Sequence, residues 1–224
     1  MLASIVGDTI RWLTAGARWH GAQGIPTRLV EHMAISGAVL VLALALALPL
    51  GLWLGHRGRG ATAVVAAANV ARAVPSFGLI VLGVVAFGIG VGPVILALVV
   101  LAVPPILVNT YQGIRGVDAD LKDAARGMGM TGGQVLLGVE IPSALPLILL
   151  GLRTAALQIV STATIAAYVS LGGLGRFVFD GLARRDYPSV AGGAVLAAFL
   201  AVSAEVVFVL MQRVVVSPGI RQRG

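Results

Sequence analysis

The residues best suited to specific binding lie in one polar segment, KDAARGMGMTGGQVLLGVEIP, which occupies positions 122–142 of an otherwise apolar chain. Asp118, Asp120 and Asp123 gather near its start. Carboxylates stabilise the positive end of a helix dipole, so we predict that a short helix begins here. Several glycines follow, which let the backbone turn, and Pro142 would restart a helix after the loop.

The chemistry that this predicted helix offers is docking rather than catalysis. Ala124, Ala125 and Met128 would form a small apolar surface of the kind that fits a groove in a partner protein. Gly127 and Gly129 would let the backbone approach that partner closely. The alternative is a loop that only joins two helices.

Residue patterns for covalent or metal chemistry are absent from the sequence. Lys122 is the only lysine and no glycine precedes it, so the phosphate-binding pattern GxxxxGK does not occur. There is no HExxH, nucleophile elbow or paired-carboxylate site. The chain has no cysteine, and His20, His32 and His56 lack metal-ligand spacing. We therefore expect no enzyme activity, no catalytic residue, no metal and no cofactor in this chain.

The elements that position the polar segment are predicted to be membrane helices. Hydrophobic residues make up 58% of the 224-residue chain, charged residues 11%, and the mean hydropathy is +0.98. A helix needs about 20 apolar residues to span a bilayer. Five stretches reach that length: residues 30–55, 61–88, 92–112, 144–171 and 190–212. No alternating pattern of a barrel occurs, so we predict an all-α membrane protein with five transmembrane helices, kinked or broken at Pro49, Pro75, Pro104 and Pro105.

Charge at the ends of these stretches predicts the orientation. The link at 56–59 and the C-terminal tail are basic and should be cytoplasmic, whereas the link at 88–92 is uncharged and should be external. This places the N-terminus outside and the C-terminus inside. The net charge of +7 lies mainly at the span ends, which favours contact with anionic lipid over nucleic acid. We divide the chain into an external N-terminal segment at 1–29, a transmembrane domain at 30–212 with a cytoplasmic loop at 113–142, and a cytoplasmic basic tail at 213–224.

Three ionisable residues fall inside the predicted spans: Arg72, Arg153 and Glu205. Each would cost about 2.5–3.5 kcal/mol at a helix centre if left alone. Pairing Glu205 with an arginine would relieve that cost, which predicts an intramembrane ion pair. The alternative is that each side chain extends to the headgroup region.

The fourth span carries polar residues on one face. Gln158, Ser161 and Thr162 stand at positions i, i+3 and i+4 of a helix. This face could line a translocation path. The alternative is that these side chains hold neighbouring helices together, as serine and threonine often do in membranes.

The polar segment also resembles a known family. Asp123-Ala124-Ala125 is followed by Gly129 and then by Val139, Ile141 and Pro142. This spacing resembles the EAA loop of ABC-importer permeases, with Asp123 in place of glutamate. The stretches DAARGMGMT, VEIPSALPLILLGLRTAALQIVSTATIAAYVSLGGLGRFV, ALPLGLWLGHRGRG and ARAVPSFGL are similar to permeases of osmoprotectant importers, which handle glycine betaine, choline and carnitine.

The resemblance implies a type I importer permease fold in the cytoplasmic membrane. It implies a cytoplasmic coupling helix that contacts an ABC ATPase through Asp123, Ala124, Ala125, Gly127, Met128 and Gly129. It further implies a second permease, identical or homologous, and an extracytoplasmic solute-binding protein as partners. ATP would be hydrolysed by the partner ATPase.

Two other functions stay open at this point. One is a permease for methionine or another amino acid, which shares the loop and the five-span plan. The other is a self-contained channel or secondary transporter, which would need an internal inverted repeat that the sequence does not display.

Aromatic residues give no sign of a tight substrate site. Quaternary ammonium ions are commonly bound by aromatic boxes. Trp53 is the only tryptophan in a span, and Phe77, Tyr111 and Tyr168 are scattered along the sequence. We therefore expect the binding protein to set affinity and this chain to offer a low-affinity passage.

Overall fold

The computed structural model describes residues 2–169 and 172–216, with side chains for all of these except residues 2–4, 71 and 72. The described residues form helices joined by short links, without a strand among them. The helices are α1 (Leu2–Thr14), α2 (Ile25–Arg57), α3 (Ala61–Ala73), α4 (Ser76–Phe87), α5 (Val91–Arg115), α6 (Ala119–Gly127), α7 (Gly132–Val135), α8 (Ile141–Ala166), α9 (Gly175–Arg184) and α10 (Tyr187–Val215). A π turn, Leu136–Glu140, joins α7 to α8.

Four helical runs are long and apolar enough to cross a membrane: Ile25–Arg57, Val91–Arg115, Gly132–Val169 and Tyr187–Val215. They correspond to the first, third, fourth and fifth predicted spans. The end of the fourth predicted span at Leu171, and residues 217–224 of the predicted tail, lie outside the described residues. The first span begins at Ile25, five residues before the predicted start.

The second predicted span is formed by two shorter helices, α3 and α4, of 13 and 12 residues. They meet at Val74-Pro75, where Pro75 has the extended conformation of an N-cap. Proline lacks an N–H and disfavours helix at the residue before it, so the break falls here. Helices α2 and α5 continue through Pro49, Pro104 and Pro105, so these prolines do not break them.

One compact unit comprises Met1–Leu40, Val74–Leu101 and Ala156–Ala204. Its core is built from Trp12, Ile25, Leu174 and Phe177, and the rings of Trp12 and Phe177 meet edge to face at 5.2 Å. Trp12 is only 6% exposed and so belongs to the core of this unit. Trp19 is half exposed and donates its Nε1–H to the Leu13 carbonyl at 2.7 Å.

A second compact unit comprises Val41–Ala73, Ala102–Ala155 and Glu205–Gly224. Ile114, Ala144 and Ile148 form its core. Helices α2 and α5 approach each other closely here, because a Cβ atom added at Gly51 or Gly55 would lie 2.8 Å from the Cβ of Thr110 or Ile114. The GxxxG spacing of Gly51 and Gly55 is a common way to bring two membrane helices into backbone contact.

Candidate functional site

The predicted short helix exists as α6, and its ends explain the residues that define it. It begins at Asp118, whose carboxylate accepts a hydrogen bond from the Asp120 N–H at 2.9 Å. Its last helical residue is Gly127, and Gly129, just beyond the cap residue Met128, has a left-handed φ of +85°. The Gly129 N–H donates to Arg126 O at 2.9 Å and the Met130 N–H to Ala125 O at 3.2 Å. This is a Schellman cap, which requires a residue without a Cβ penalty at the left-handed position.

The α6 surface carries most of the predicted coupling residues, with one exception. The exposed ones are Asp123, Ala124, Gly127, Met128 and Gly129. Ala125 is 2% exposed, so it packs α6 onto this chain and is not available to a partner, contrary to its assignment from the sequence.

Leu121 is an exposed apolar residue of α6 that the sequence reasoning did not single out. Leu121 is 46% exposed and shares a face with Ala124 and the 78%-exposed Met128, at i, i+3 and i+7. We call these three residues the apolar strip of α6. The signal was present in the sequence, since Leu121 lies three residues before Ala124.

Helix α6 is fixed to the rest of its unit through Lys122. The Lys122 Nζ donates to the Ile114 carbonyl at 3.0 Å and lies 3.7 Å from the carboxylate of Glu140. Glu140 is 1% exposed, and its second oxygen accepts a hydrogen bond from His56 Nδ1 at 2.6 Å. A buried carboxylate is stable only when it is paired and hydrogen-bonded, which these two partners achieve. We call Lys122, Glu140 and His56 the buried triad.

The backbone around Glu140 is also unusual. Glu140 is the last residue of the π turn, in which the Ile141 N–H donates to Leu136 O. Pro142 follows and has no N–H to continue a regular ladder. Such turns occur often at functional sites. The sequence analysis did not identify Glu140 or His56 as a pair, because they are 84 residues apart; the one available signal was a lone carboxylate within an apolar run.

Two of the three predicted intramembrane charges lie together. The Arg153 Nε donates to Glu205 Oε2 at 2.6 Å, and Arg153 Nη2 donates to Glu205 Oε1. This two-pronged pair links α8 to α10, and about 30% of each side chain is exposed (29% and 31%). The side chain of Arg72 lies outside the described part of the chain.

The three polar residues on α8 do not share one environment. Ser161 is exposed, Gln158 is half-buried, and Thr162 is 7% exposed. The Ser161 hydroxyl donates to the Leu157 carbonyl at 2.9 Å, so its oxygen remains free to accept. The buried position of Thr162 contradicts its assignment to a solute path, whereas Ser161 is accessible.

A polar cleft of about 130 Å³ lies in the first unit. It is lined by Arg18, Gln23, Arg28, Arg176, Phe177, Asp180, Gly181, Arg184, Asp186 and Ser189. Arg28 is paired with Glu31 at 2.8 Å and Arg176 with Asp180 at 3.0 Å, whereas Arg18 lies over the Trp12 ring at 5.1 Å. Arginines outnumber the lining carboxylates by four to two, so the cleft is basic. We call it the arginine cleft.

No cluster of three metal-binding side chains occurs in the part of the chain that the structure describes. His32, the most buried histidine, is bound through Nε2 to the Val160 carbonyl at 3.0 Å.

Comparison with known proteins identifies the family of this architecture. Residues 47–222 match the family model described as binding-protein-dependent transport system inner membrane component. The chain is 37% identical to the glycine betaine/carnitine/choline transport system permease protein OpuCB of Bacillus subtilis (strain 168), over 85% of this chain and 88% of that protein. It is 34% identical to the choline transport system permease protein OpuBB of the same organism, over 86% and 88%.

A solved structure shares the fold. The MetNI methionine ABC transporter in an inward-facing conformation superposes with a TM-score of 0.73, at 22% identity, over 86% of this chain and 96% of that chain. This confirms the predicted all-α permease fold in the multi-pass arrangement. The chain therefore belongs to the family of binding-protein-dependent transport system inner membrane components, and it is a membrane component of an ABC importer rather than its ATPase.

Proposed function

We propose that this chain is the transmembrane subunit of an ATP-driven importer for quaternary-amine osmoprotectants such as glycine betaine, choline and carnitine. The observation that carries the proposal is the similarity, over about 85% of the chain, to permeases named for these solutes. The methionine alternative is not favoured, because the similarity to a methionine transporter is 22% identity to a solved structure, which bears on fold and not on substrate. A self-contained channel is disfavoured because the family is binding-protein-dependent.

The ATPase partner would bind the apolar strip of α6. Leu121 and Met128 are large apolar side chains left exposed at 46% and 78%, on a helix with well-formed caps at both ends. An exposed apolar helix face of this kind fits a groove in another protein. The buried triad supports the coupling role, because it ties Lys122 of α6 to Glu140 at the start of α8.

The basic link at 56–59 and the basic tail support an orientation with the N-terminus outside and the C-terminal tail inside. Glu31, near the start of α2, accepts a hydrogen bond from the Gly173 N–H, which follows α8. His56, near the end of α2, lies against Glu140 just before α8. These two contacts make α2 and α8 antiparallel, so with the basic link inside, α2 would run inward, α8 would run outward and α6 would be cytoplasmic. Residues 1–29 would then be external and 213–224 cytoplasmic.

In this orientation the arginine cleft would be external. We assign it to the extracytoplasmic solute-binding protein, because a basic cleft is complementary to acidic side chains on such a partner. A second permease, identical or homologous, would complete the membrane portion, with lipid around it.

The experiment that tests the function is reconstitution with the cognate ATPase and binding protein in proteoliposomes. We expect ATP-dependent uptake of labelled glycine betaine or choline and none of labelled methionine. Met128→Asp should abolish copurification of the ATPase, whereas Arg126→Ala, at a 57%-exposed neighbour, should not. Methionine uptake, or choline uptake that needs neither ATP nor the binding protein, would overturn the proposal.

A further inference from the structure

Three aromatic side chains that are distant in sequence come together in the first unit. Tyr168 lies in the 3-10 turn after α8, Phe77 begins α4 and Phe179 lies in α9. The Tyr168 ring centroid is 5.6 Å from that of Phe77 and 5.3 Å from that of Phe179. The sequence analysis treated Phe77 and Tyr168 as scattered, and the structure corrects this.

The exposure of these rings distinguishes them from ordinary core packing. Phe77 is 43% exposed and Tyr168 is 59% exposed. The other aromatic pair of the same unit, Trp12 and Phe177, is 6% and 8% exposed. Aromatic pairs that only fill a core are buried like the latter, whereas this chain leaves part of the Phe77 and Tyr168 side chains uncovered.

The inclination of the rings suits a rounded cation. The plane of Tyr168 is tilted by 66° to that of Phe77 and by 62° to that of Phe179. Because the rings are inclined to one another, their faces point in different directions. The negative face of an aromatic ring attracts a quaternary ammonium group within about 6 Å of its centroid.

From this geometry we propose that Phe77, Tyr168 and Phe179 form a low-affinity binding site for the quaternary ammonium group of the transported solute. The proposal rests on the proposed function, which supplies a solute of this chemical class. The accessible Ser161 lies seven residues before Tyr168 in the chain. Partial enclosure accounts for low affinity, because only three rings contribute and two of them are open.

The direct test measures binding to the permease–ATPase complex in nanodiscs, without the binding protein, by saturation-transfer NMR. Choline is the probe, and 3,3-dimethyl-1-butanol, which has the same shape without the charge, is the control ligand. We expect a signal from the trimethylammonium protons of choline and a much weaker one from the neutral analogue. Equal signals from the two ligands would overturn the proposal, because they would indicate ordinary apolar or lipid-like contact.

Variants of the ring residues test whether the choline signal arises from the aromatic cluster. Tyr168→Leu and Phe77→Leu should each weaken choline binding by about 2- to 30-fold, which is the range expected for one cation–π contact. Tyr168→Phe keeps the ring and should bind as the parent does. Phe87→Leu is the matched control, because Phe87 lies on the same helix as Phe77, is 70% exposed and has no part in the cluster. Unchanged binding in folded Tyr168→Leu and Phe77→Leu complexes would overturn the proposal.

Uptake measurements distinguish failure of the aromatic site from failure of the proposed transport function. With the binding protein present, Tyr168→Leu should lower choline uptake while ATP hydrolysis stimulated by the binding protein persists. If the parent complex transports choline and the leucine variants transport it equally well, the aromatic site is wrong and the function stands. If the parent complex transports no quaternary amine, the function itself is wrong. If the leucine variants fail to fold, the comparison of choline with its neutral analogue on the parent complex still tests whether the site recognises a quaternary ammonium group.

Discussion

Lys122, on the helix that we assign to the ATPase, lies 3.7 Å from the carboxylate of Glu140, at the start of a membrane-spanning helix. Glu140 is 1% exposed, so the attraction is little weakened by water. A force applied to α6 therefore reaches α8 through a short, buried electrostatic contact as well as through the connecting backbone. His56 extends the same contact to the end of α2.

Removing the carboxylate should destabilise this unit strongly. We expect Glu140→Ala to lower the free energy of unfolding by about 3–5 kcal/mol, because it leaves Lys122 poorly solvated and without its counter-charge. Glu140→Gln should lower the free energy of unfolding by less, because the amide oxygen can still accept a hydrogen bond from His56. Thermal unfolding in detergent measures both. Asp123→Ala is the control, because Asp123 is 72% exposed and its pair with Arg126 should contribute less than about 1 kcal/mol. Equal melting of Glu140→Ala and Asp123→Ala would contradict the role of the buried triad.

The cap of α6 predicts a sharp difference between two neighbouring glycines. Gly129→Ala places a side chain at φ +85° and should cost about 1–2 kcal/mol, which would fray α6 and weaken ATPase binding. Gly127→Ala is the matched control: Gly127 is the last helical residue, and a Cβ there meets nothing within 4 Å. We expect Gly127→Ala to be neutral or slightly stabilising. The readout is the thermal unfolding of each variant in detergent, and a loss of stability at Gly127 rather than at Gly129 would refute the capping account.

Charge exchange tests the pair between α8 and α10. Arg153→Glu and Glu205→Arg each bring two like charges together within a membrane helix pair, so either variant should lose most uptake. The double exchange restores opposite charges and should recover a large part of it. Uptake of labelled choline in proteoliposomes, corrected for the amount of folded complex, measures the recovery. If the double variant is as inactive as either single one, the two residues do not act as a pair.

A charge change in the arginine cleft should weaken the interaction with the binding protein without changing basal ATP hydrolysis. Arg184→Glu should raise the concentration of binding protein needed for half-maximal ATP hydrolysis, because it reverses a charge at the rim of the cleft. The basal hydrolysis rate should not change, and the effect should shrink at high salt. Arg59→Glu, in the link after α2, is the control, because our orientation places it on the cytoplasmic side. A shift in half-saturation for Arg59→Glu and not for Arg184→Glu would reverse the orientation.

The features that the sequence predicts well are local ones. Long apolar runs predict α2, α5, α8 and α10, since length and hydropathy are properties of a contiguous segment. The start of α6 and its glycine cap are also local, because both follow from residues within a few positions of each other. The position of a proline does not by itself predict a helix break. Pro75 separates two helices, whereas Pro49 lies inside one.

Contacts between distant residues could not be predicted in the same way. Glu140 and His56 are 84 residues apart, and Phe77 and Tyr168 come from different helices. Which residues meet depends on how the helices rotate and cross, and hydrophobic membrane helices have little periodicity to reveal that rotation. Ala125 and Thr162 were misjudged for this reason, since the sequence gives their spacing on a helix and not which side is covered.

The π turn before α8 has a consequence for how this protein can change over evolution. A π turn holds one residue more than an α turn, and here it spans Leu136–Glu140. Deleting one residue from it would restore a regular helix. The segment that precedes the turn would then be rotated by about 100° around the axis of α8. Lys122 would then point away from Glu140, and the ATPase would meet a different surface. We therefore expect single-residue deletions between α7 and α8 to be poorly tolerated, although such deletions preserve every side chain that contacts a partner.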